Sequence, residues 1–350
     1  MPTIAAGDLT DFVAAVFEGA GVAADEARTV AESLVGANLR GHDSHGVMRV
    51  AQYVDRLREG AYRSGVELRV ERETPAVVVC DGQWGLGQVQ AHRLLDKIIP
   101  KARALGLGAG AARAVGHIGR LGEYAERAAA EGLVLLATVN TDGAGQRVAP
   151  PGGREGRLGT NPLCIGVPTA GDPVVLDFGT SAAAEGKVRV YYIDGRRPVP
   201  EGWLLDHEGK PTTDPASLYE PPVGTLLPMG GAQAYKGFGL SLVLDMLAGG
   251  LTGGRTCHPD PAPVRGNNVV FVALEPDLFA GRDALVREAT TLADHVRACP
   301  RAEGVEAILL PGDPERRALR QRSTSGITLP DAHWAKLAEV ARGLGVAVPV

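Results

Sequence analysis

The sequence predicts an α/β layer fold accompanied by a smaller helical layer, and three observations carry that expectation. Through the middle of the chain, short apolar runs with β-branched content alternate with amphipathic helical patterns. Both ends, in contrast, read as helix alone. The 47 glycines are spread along the 350 residues rather than gathered in a linker, and no fixed-period repeat or low-complexity tail interrupts the pattern.

Taken in order, Ala6 to Ala20 sets Leu9, Phe12, Val13, Val16 and Phe17 at helical spacing, with Gly21 as the stop. Asp25 to Leu39 is a second helix whose acidic first turn, Asp25-Glu26, suits the positive end of the helix dipole. A third runs from about Val47 to Arg58. Strands are expected at 76–80, 134–139, 163–167, 174–176, 268–274 and 307–310. Helices are expected between them at 89–105, 119–130 and 238–251. Near the end, Pro330 to Leu344 presents Ala332, Trp334, Leu337, Val340 and Ala341 on one side. The expected division is a discontinuous helical domain of residues 1–75 and 295–350 around an α/β cofactor-binding domain of residues 76–294. The Gly- and Pro-rich connection from Asp142 to Asn161 is long enough to line a site or move over one.

Composition narrows the function. Acidic residues outnumber basic ones by 41 to 36 and no basic block occurs, so nucleic acid and anionic membrane surfaces are not expected partners. No run approaches the ~20 apolar residues that span a bilayer. The start, Met-Pro-Thr-Ile, lacks the charged and apolar regions of a secretory signal. Cys80, Cys164, Cys257 and Cys299 are scattered, which fits a reducing, cytoplasmic setting.

Four clusters could carry chemistry. Arg40-Gly-His-Asp-Ser-His-Gly46 puts two imidazoles, a carboxylate and a hydroxyl at a helix junction, with Arg49 and Tyr53 one and two turns beyond His45. A guanidinium beside Ser44 and His45 is a receptor for a carboxylate. Ordinary polar capping explains the same residues about equally well. His42 and His45 could instead hold a metal, although no third ligand stands at useful spacing. The second cluster sets His117 among glycines before a helix, where the dipole lowers a histidine's proton affinity. The third runs from Gly152-Gly153 through Gly159-Thr160-Asn161-Pro162 to Leu176-Asp177-Phe178-Gly179-Thr180-Ser181, an outline of a nucleotide cradle. The fourth, Gly230-Gly231 with Tyr235-Lys236-Gly237, opens a helix with a lysine, as phosphate sites do. No G-x-G-x-x-G follows a strand, and neither a Walker sequence nor a G-x-S-x-G elbow is present.

Together these segments resemble the malate/L-lactate dehydrogenase-like family that lacks a Rossmann domain, which includes sulfolactate, ureidoglycolate, 2,3-diketogulonate and piperideine-2-carboxylate oxidoreductases. The matching pieces are LRGHDSHGVMR (39–49), VGHIGRLGEYA (115–125), GTNP (159–162), LDFGTS (176–181), LPMGG (227–231), YKGFGL (235–240) and LLPGDPE (309–315). They stand in the family's order and cover nearly the whole chain. The resemblance implies a mixed-sheet, three-layer α/β domain of the sulfolactate dehydrogenase type, a homodimer, and NAD or NADP as cofactor. It implies Ser44, Arg49 and Tyr53 around a substrate carboxylate and His117 or His45 as the proton-transfer group. Around the dinucleotide it implies Asn140, Thr160, Asn161, Asp177, Phe178, Gly179, Thr180, Ser181, Lys236, Gly237, Gly312 and Asp313. Phe178-Gly179 and Asp313 depart from the family's usual residues, which leaves cofactor preference and substrate open.

The expected activity is hydride transfer between nicotinamide and a small 2-oxo or 2-hydroxy acid. Rival readings are reduction of a cyclic imine acid on the same scaffold, a metal-dependent hydrolase using His42 and His45, and a nucleotide-binding regulator without turnover.

Overall fold

The computed structural model describes every residue except Asp194, Ala262 and Val350. The chain enters on β1 (Thr3–Ile4) and continues through α1 (Ala6–Gly19), α2 (Ala24–Leu39) and α3 (Val50–Arg58). β2 (Arg69–Glu73) and β3 (Val77–Asp81) precede α4 (Gly87–Leu105), β4 (Leu107–Val115) and α5 (Gly122–Ala130). β5 (Val134–Asn140), β6 (Pro162–Val167), β7 (Val174–Gly179) and α6 (Glu185–Ile193) follow. Three short strands, β8 (Leu204–Leu205), β9 (Pro211–Thr212) and β10 (Thr225–Leu226), lead to α7 (Ala234–Thr252) and β11 (Asn267–Leu274). The remainder is α8 (Arg282–Arg297), α9 (Asp313–Ser325), β12 (Ile327–Thr328) and α10 (Asp331–Gly343).

The centre is a seven-stranded sheet in the order β2-β3-β4-β11-β5-β6-β7. Only β3 and β4 run parallel; the other neighbours are antiparallel. This mixed order, with β11 inserted late between β4 and β5, is not the doubly wound arrangement. Register decides the faces, because side chains alternate along a strand. Gly110, Phe271, Ala137 and Cys164 stand opposite one another across four strands. They share a core with Leu94 and Ile98 of α4 and Tyr124 of α5. The other face carries α7, whose buried Asp245 accepts a hydrogen bond from Asn140 Nδ2 at 2.6 Å. Helix, sheet and helix are therefore stacked in the three layers expected.

A second core joins Leu9 and Phe17 of α1, Leu34 of α2, Val50 of α3 and Leu337 of α10. The chain ends are tied by β1 and β12, with Thr3 opposite Thr328. A third, small core under α6 gathers Val188, Leu204, Leu218 and Leu226.

The structure departs from the sequence reading at several elements. Strand β4 reads Leu-Gly-Ala-Gly-Ala-Ala-Arg-Ala-Val and lacks the bulky residues by which strands are recognised. Its small residues answer to packing: a Cβ on Gly108 would strike the Ile98 carbonyl oxygen of α4. The strand expected at 307–310 does not form. That segment touches the sheet edge by one bond, Val175 N–H to the Pro311 carbonyl at 3.2 Å. Helices α6, α8 and α9 were not anticipated; α9 buries no residue fully and is fastened by charged side chains rather than an apolar stripe. Helix α7 begins at Ala234, not at Phe238.

Replacing Gly108 with Ala should push α4 off β4 and cost about 1–3 kcal/mol of stability, the usual range for overpacking. A urea midpoint unchanged from the native protein would show that the two elements can separate freely.

Candidate active site

Two short 3-10 turns, Asp43–His45 and Val47–Arg49, carry the chain from α2 to α3. Asn38, buried near the end of α2, fixes both. Its Oδ1 accepts the Val47 N–H at 2.8 Å and its Nδ2 donates to Asp43 at 2.6 Å. From the far side, α9 supplies Arg322 to Asp43 at 2.7 Å and Glu315 to His42 Nε2 at 3.0 Å. His42 is thus turned toward α9, while His45 Nδ1 lies 3.0 Å from Ser44 Oγ.

Arg49 donates from Nε to the Ser44 carbonyl at 2.7 Å and from Nη1 to Gln52 at 2.9 Å. Both acceptors are neutral. Among the described residues no carboxylate stands within ion-pair distance of Arg49, so its charge remains available to an anion.

His117 comes from the loop between β4 and α5. Its N–H donates to the Tyr62 hydroxyl at 3.0 Å, and the next N–H, of Ile118, donates to Asn267 Oδ1 at 3.1 Å. Its Nδ1 lies 2.6 Å from the Tyr53 hydroxyl. The rings of His45 and His117 stack with centroids 5.6 Å apart and an 18° tilt. Ser44, His45, Arg49, Tyr53 and His117 therefore converge. Both Nδ1 atoms face hydroxyls, and among the described residues both Nε2 atoms lack a hydrogen-bond partner.

Burial holds the His45 pKa down to about 3, and the charge of Arg49 adds to it. Burial, then Arg49 and His45, keeps His117 well below the usual imidazole range. Both rings are neutral at neutral pH. The dipole effect anticipated for His117 is not the cause, because α5 starts only at Gly122. Burial also raises the Tyr53 phenol.

A second group forms beyond β7. Thr180 donates its N–H to the Thr160 carbonyl at 2.9 Å and its hydroxyl to the Asn161 carbonyl at 2.9 Å. Phe178 and Gly179 lie opposite Leu163 and Pro162. Asn161 Nδ2 donates to the Ser241 carbonyl of α7 at 3.1 Å. The Met229 N–H reaches the Thr180 carbonyl at 2.9 Å. A Cβ on Gly237 would press on the Met229 carbonyl, so Lys236 and Gly237 enter the same neighbourhood. Lys236 is exposed and, among the described residues, has no acidic partner. Ser181 donates to the Ala183 carbonyl at 2.7 Å, and the chain then brings Gly186 of α6 against Ser44. The two groups are five residues apart along this path.

Asp177 faces α5, where it accepts the Gly122 N–H at 2.7 Å. Burial raises its pKa, opposed by that bond and by the charge of Arg120. Gly312, at φ +93°, precedes α9 beside β7. Asp313 accepts the Leu310 N–H at 2.8 Å and pairs with Arg316 at 2.6 Å, so its carboxylate serves its own loop. Asn140 stands apart: its amide bonds Asp245, the Arg255 carbonyl at 2.9 Å and Asn268 at 2.9 Å, on the α7 face.

Sequence reasoning missed three contributors. Arg120 is buried beside Asp177 and bonded to Glu126 at 2.7 Å. Its only signal was its place inside the glycine-flanked His117 segment. Gln88, which touches Tyr53, is one of several polar residues in a long amphipathic helix, and Tyr62, which touches His117, sits in the irregular stretch between α3 and β2, where no pattern singled it out.

The chain matches the malate/L-lactate dehydrogenase family over residues 4–338. It is 37% identical over 343 residues to hydroxycarboxylate dehydrogenase B of Escherichia coli K12, a match covering 97% of this chain and 93% of that one. The fold superimposes on the sulfolactate dehydrogenase of Methanocaldococcus jannaschii with a TM-score of 0.86 at 31% identity, over 99% and 98% of the two chains. On the Δ1-piperideine-2-carboxylate reductase of Pseudomonas syringae pv. tomato the TM-score is 0.81 at 31% identity, over 97% and 100%. A match of this extent, on a mixed sheet of the sulfolactate dehydrogenase type, makes the chain a member of the malate/L-lactate dehydrogenase family, an oxidoreductase acting on CH–OH groups.

Proposed function

We propose that this oxidoreductase transfers a hydride between NAD or NADP and a small 2-oxo or 2-hydroxy carboxylic acid of the malate or lactate kind. The observation that carries the reading is Arg49: a guanidinium bonded, among the described residues, only to neutral acceptors, beside two stacked neutral imidazoles whose Nε2 atoms are open among the same residues. A carboxylate docked on Arg49 is oriented by a planar fork, and the adjoining carbon is brought to the histidines. Ser44 borders that pocket, and Tyr53, with no exposed surface and its hydroxyl on His117 Nδ1, stands behind it.

Proton transfer falls to His117 or His45. In reduction a protonated Nε2 gives its proton to the developing alkoxide; in oxidation the bare Nε2 left by that transfer takes the alcohol proton back. Bound carboxylate offsets the charge of Arg49, which is a smaller influence than burial in holding both rings down.

For the cofactor, the donor set fits a dinucleotide. The first turn of α7 has no side-chain cap, and Lys236 beside it lacks an acidic partner among the described residues, a combination suited to phosphate. Thr160, Asn161, Phe178, Gly179, Thr180, Ser181 and Gly237 border the same space. Asp177, Gly312, Asp313 and Asn140 support it from farther off. When bound, the nicotinamide supplies the hydride chemistry.

We further propose a homodimer working in the cytoplasm. The four cysteines are free, and α7 turns Tyr235, Val243, Met246 and Leu251 outward, each more than half exposed. Such a stripe is unusual on a monomer.

A second reading, reduction of a cyclic imine acid, is favoured by the neutrality of both imidazoles. An iminium accepts hydride to give a neutral amine and asks no proton of the protein. Pyruvate, oxaloacetate, sulfopyruvate and the cyclic imines, each tested with NADH and NADPH, separate the readings. No oxidation of either cofactor with any keto acid would rule out the first.

Arg49→Lys should raise KM for the carboxylate substrate about ten-fold or more with a smaller change in kcat, since a point charge replaces a fork. Unchanged kinetics with every accepted acid would remove Arg49 as the anchor. Of His117→Ala and His45→Ala, the variant lacking the proton-transfer group should lose roughly 10²–10⁴-fold in kcat. If both stay within a few-fold of the native enzyme, neither histidine moves the proton. Light scattering at micromolar concentration should give twice the chain mass; a fully active monomer would refute the dimer.

A further inference from the structure

Gln88 lies in the second position of α4 with no exposed surface. Its Nε2 donates to the Tyr53 hydroxyl at 3.1 Å. That hydroxyl is 2.6 Å from Nδ1 of His117 and 3.3 Å from the carbonyl oxygen of the same residue. Gln88 Oε1 is buried and, among the described residues, without a partner. A Cβ on Gly119 would sit 3.2 Å from Gln88 Nε2, so the amide fills the space beneath the His117 loop.

Counting protons gives this chain a direction. A tyrosine hydroxyl has one proton; a primary amide offers donors on one side and an acceptor on the other. With the Gln88 N–H toward Tyr53, the Tyr53 proton can go only to His117, where Nδ1 is the nearer acceptor. The reversed amide would strand two N–H donors in a buried position in place of one carbonyl oxygen. Orphaned buried donors are the rarer and costlier case.

We propose that Gln88 is a positioning residue that sets the direction of this chain. Gln88 donates to Tyr53, Tyr53 donates to Nδ1 of His117, and the neutral imidazole therefore keeps its own proton on Nε2, the nitrogen left open to substrate. Each bond polarises the next in the same sense. A keto-acid oxygen brought in by Arg49 meets an N–H donor at the place where negative charge develops. In reduction the ring takes a second proton from solvent at Nδ1, and the Tyr53 proton turns to the His117 carbonyl, its other acceptor. Nε2 gives its proton to the alkoxide, which leaves Nε2 bare for the reverse direction without movement of the ring. The inference rests on the reading that His117 faces the reacting oxygen.

The test is nitrogen NMR of the full-length enzyme labelled with ¹⁵N-histidine, in which protonated and bare ring nitrogens resolve. In the native protein His117 should be protonated on Nε2 and bare at Nδ1. Gln88→Glu places an acceptor opposite Tyr53, so the tyrosine proton turns away and the His117 proton moves to Nδ1. In that variant kcat for keto-acid reduction should fall about ten-fold or more, with KM within about two-fold because Arg49 is untouched. A native His117 protonated on Nδ1 overturns the proposal, and that measurement needs no variant to fold. The same tautomer in the native protein and in folded Gln88→Glu also overturns it. A fully active His117→Ala enzyme would instead sink the role of His117, so the two failures are told apart.

Discussion

At the start of α4 the chain passes so close to the His117 loop that a Cβ on Gly87 would strike the carbonyl oxygens of His117 and Gly116. The contact is stitched on both sides: Gly116 donates to the Gly85 carbonyl at 3.0 Å and Trp84 to the Ala114 carbonyl at 2.6 Å. Through it the end of β4 is fixed to α4, and α4 reaches Tyr53 of α3 through Gln88. The spacing between His45, carried by the helical layer, and His117, carried by the sheet, is set at this one seam. Interiors packed this tightly do not deform gradually, so the stacked rings are held by backbone rather than by their own weak attraction.

The charge arrangement follows a similar economy. Acidic side chains are kept behind the α2–α3 turn, where Arg322 binds Asp43 and Glu126 binds both Arg40 at 2.9 Å and Arg120. The front of the turn has a cation and no anion among the described residues. Even a half-buried cation without a counter-charge carries a desolvation cost, and Arg49 lowers that cost with neutral oxygens instead of a carboxylate. The result is a pocket whose electrostatic deficit is met when an acid binds.

The α/β layering and most helices were legible because apolar runs alternate with helical patterns and amphipathic periodicity survives in α1, α2, α4 and α10; the three-layer stacking was implied only by the family resemblance. β4 was not, because the demand of close packing on α4 erased its bulky residues, and composition carries no trace of a neighbour 10 residues away in sequence and against it in space. α9 was hidden for the opposite reason: it is fastened by ion pairs, which leave no periodic apolar signature. In the site, Ser44, His45, Arg49 and Tyr53 could be grouped because they share one turn and one helix. Gln88 could not, since a glutamine that matters only through a tyrosine 35 positions earlier has the same local pattern as any polar helix residue. The physical origin of the lowered His117 pKa was also beyond reach, because burial depends on how the layers close.

The pairing of β1 with β12 and the shared core of α1, α3 and α10 have a further consequence during synthesis. Helices α1 to α3 emerge first but complete their shared core only when the residues after Gly326 are made. The seven-stranded sheet has all its strands once β11 is complete, well before that point. Contacts so distant in sequence form slowly, since a long loop must close before they repay it. The nascent enzyme therefore carries an incompletely covered helical layer beside a sheet able to fold ahead of it. The turn that carries His45 and Arg49 gains its last support, Arg322 on Asp43, only when the end of the chain closes over its start.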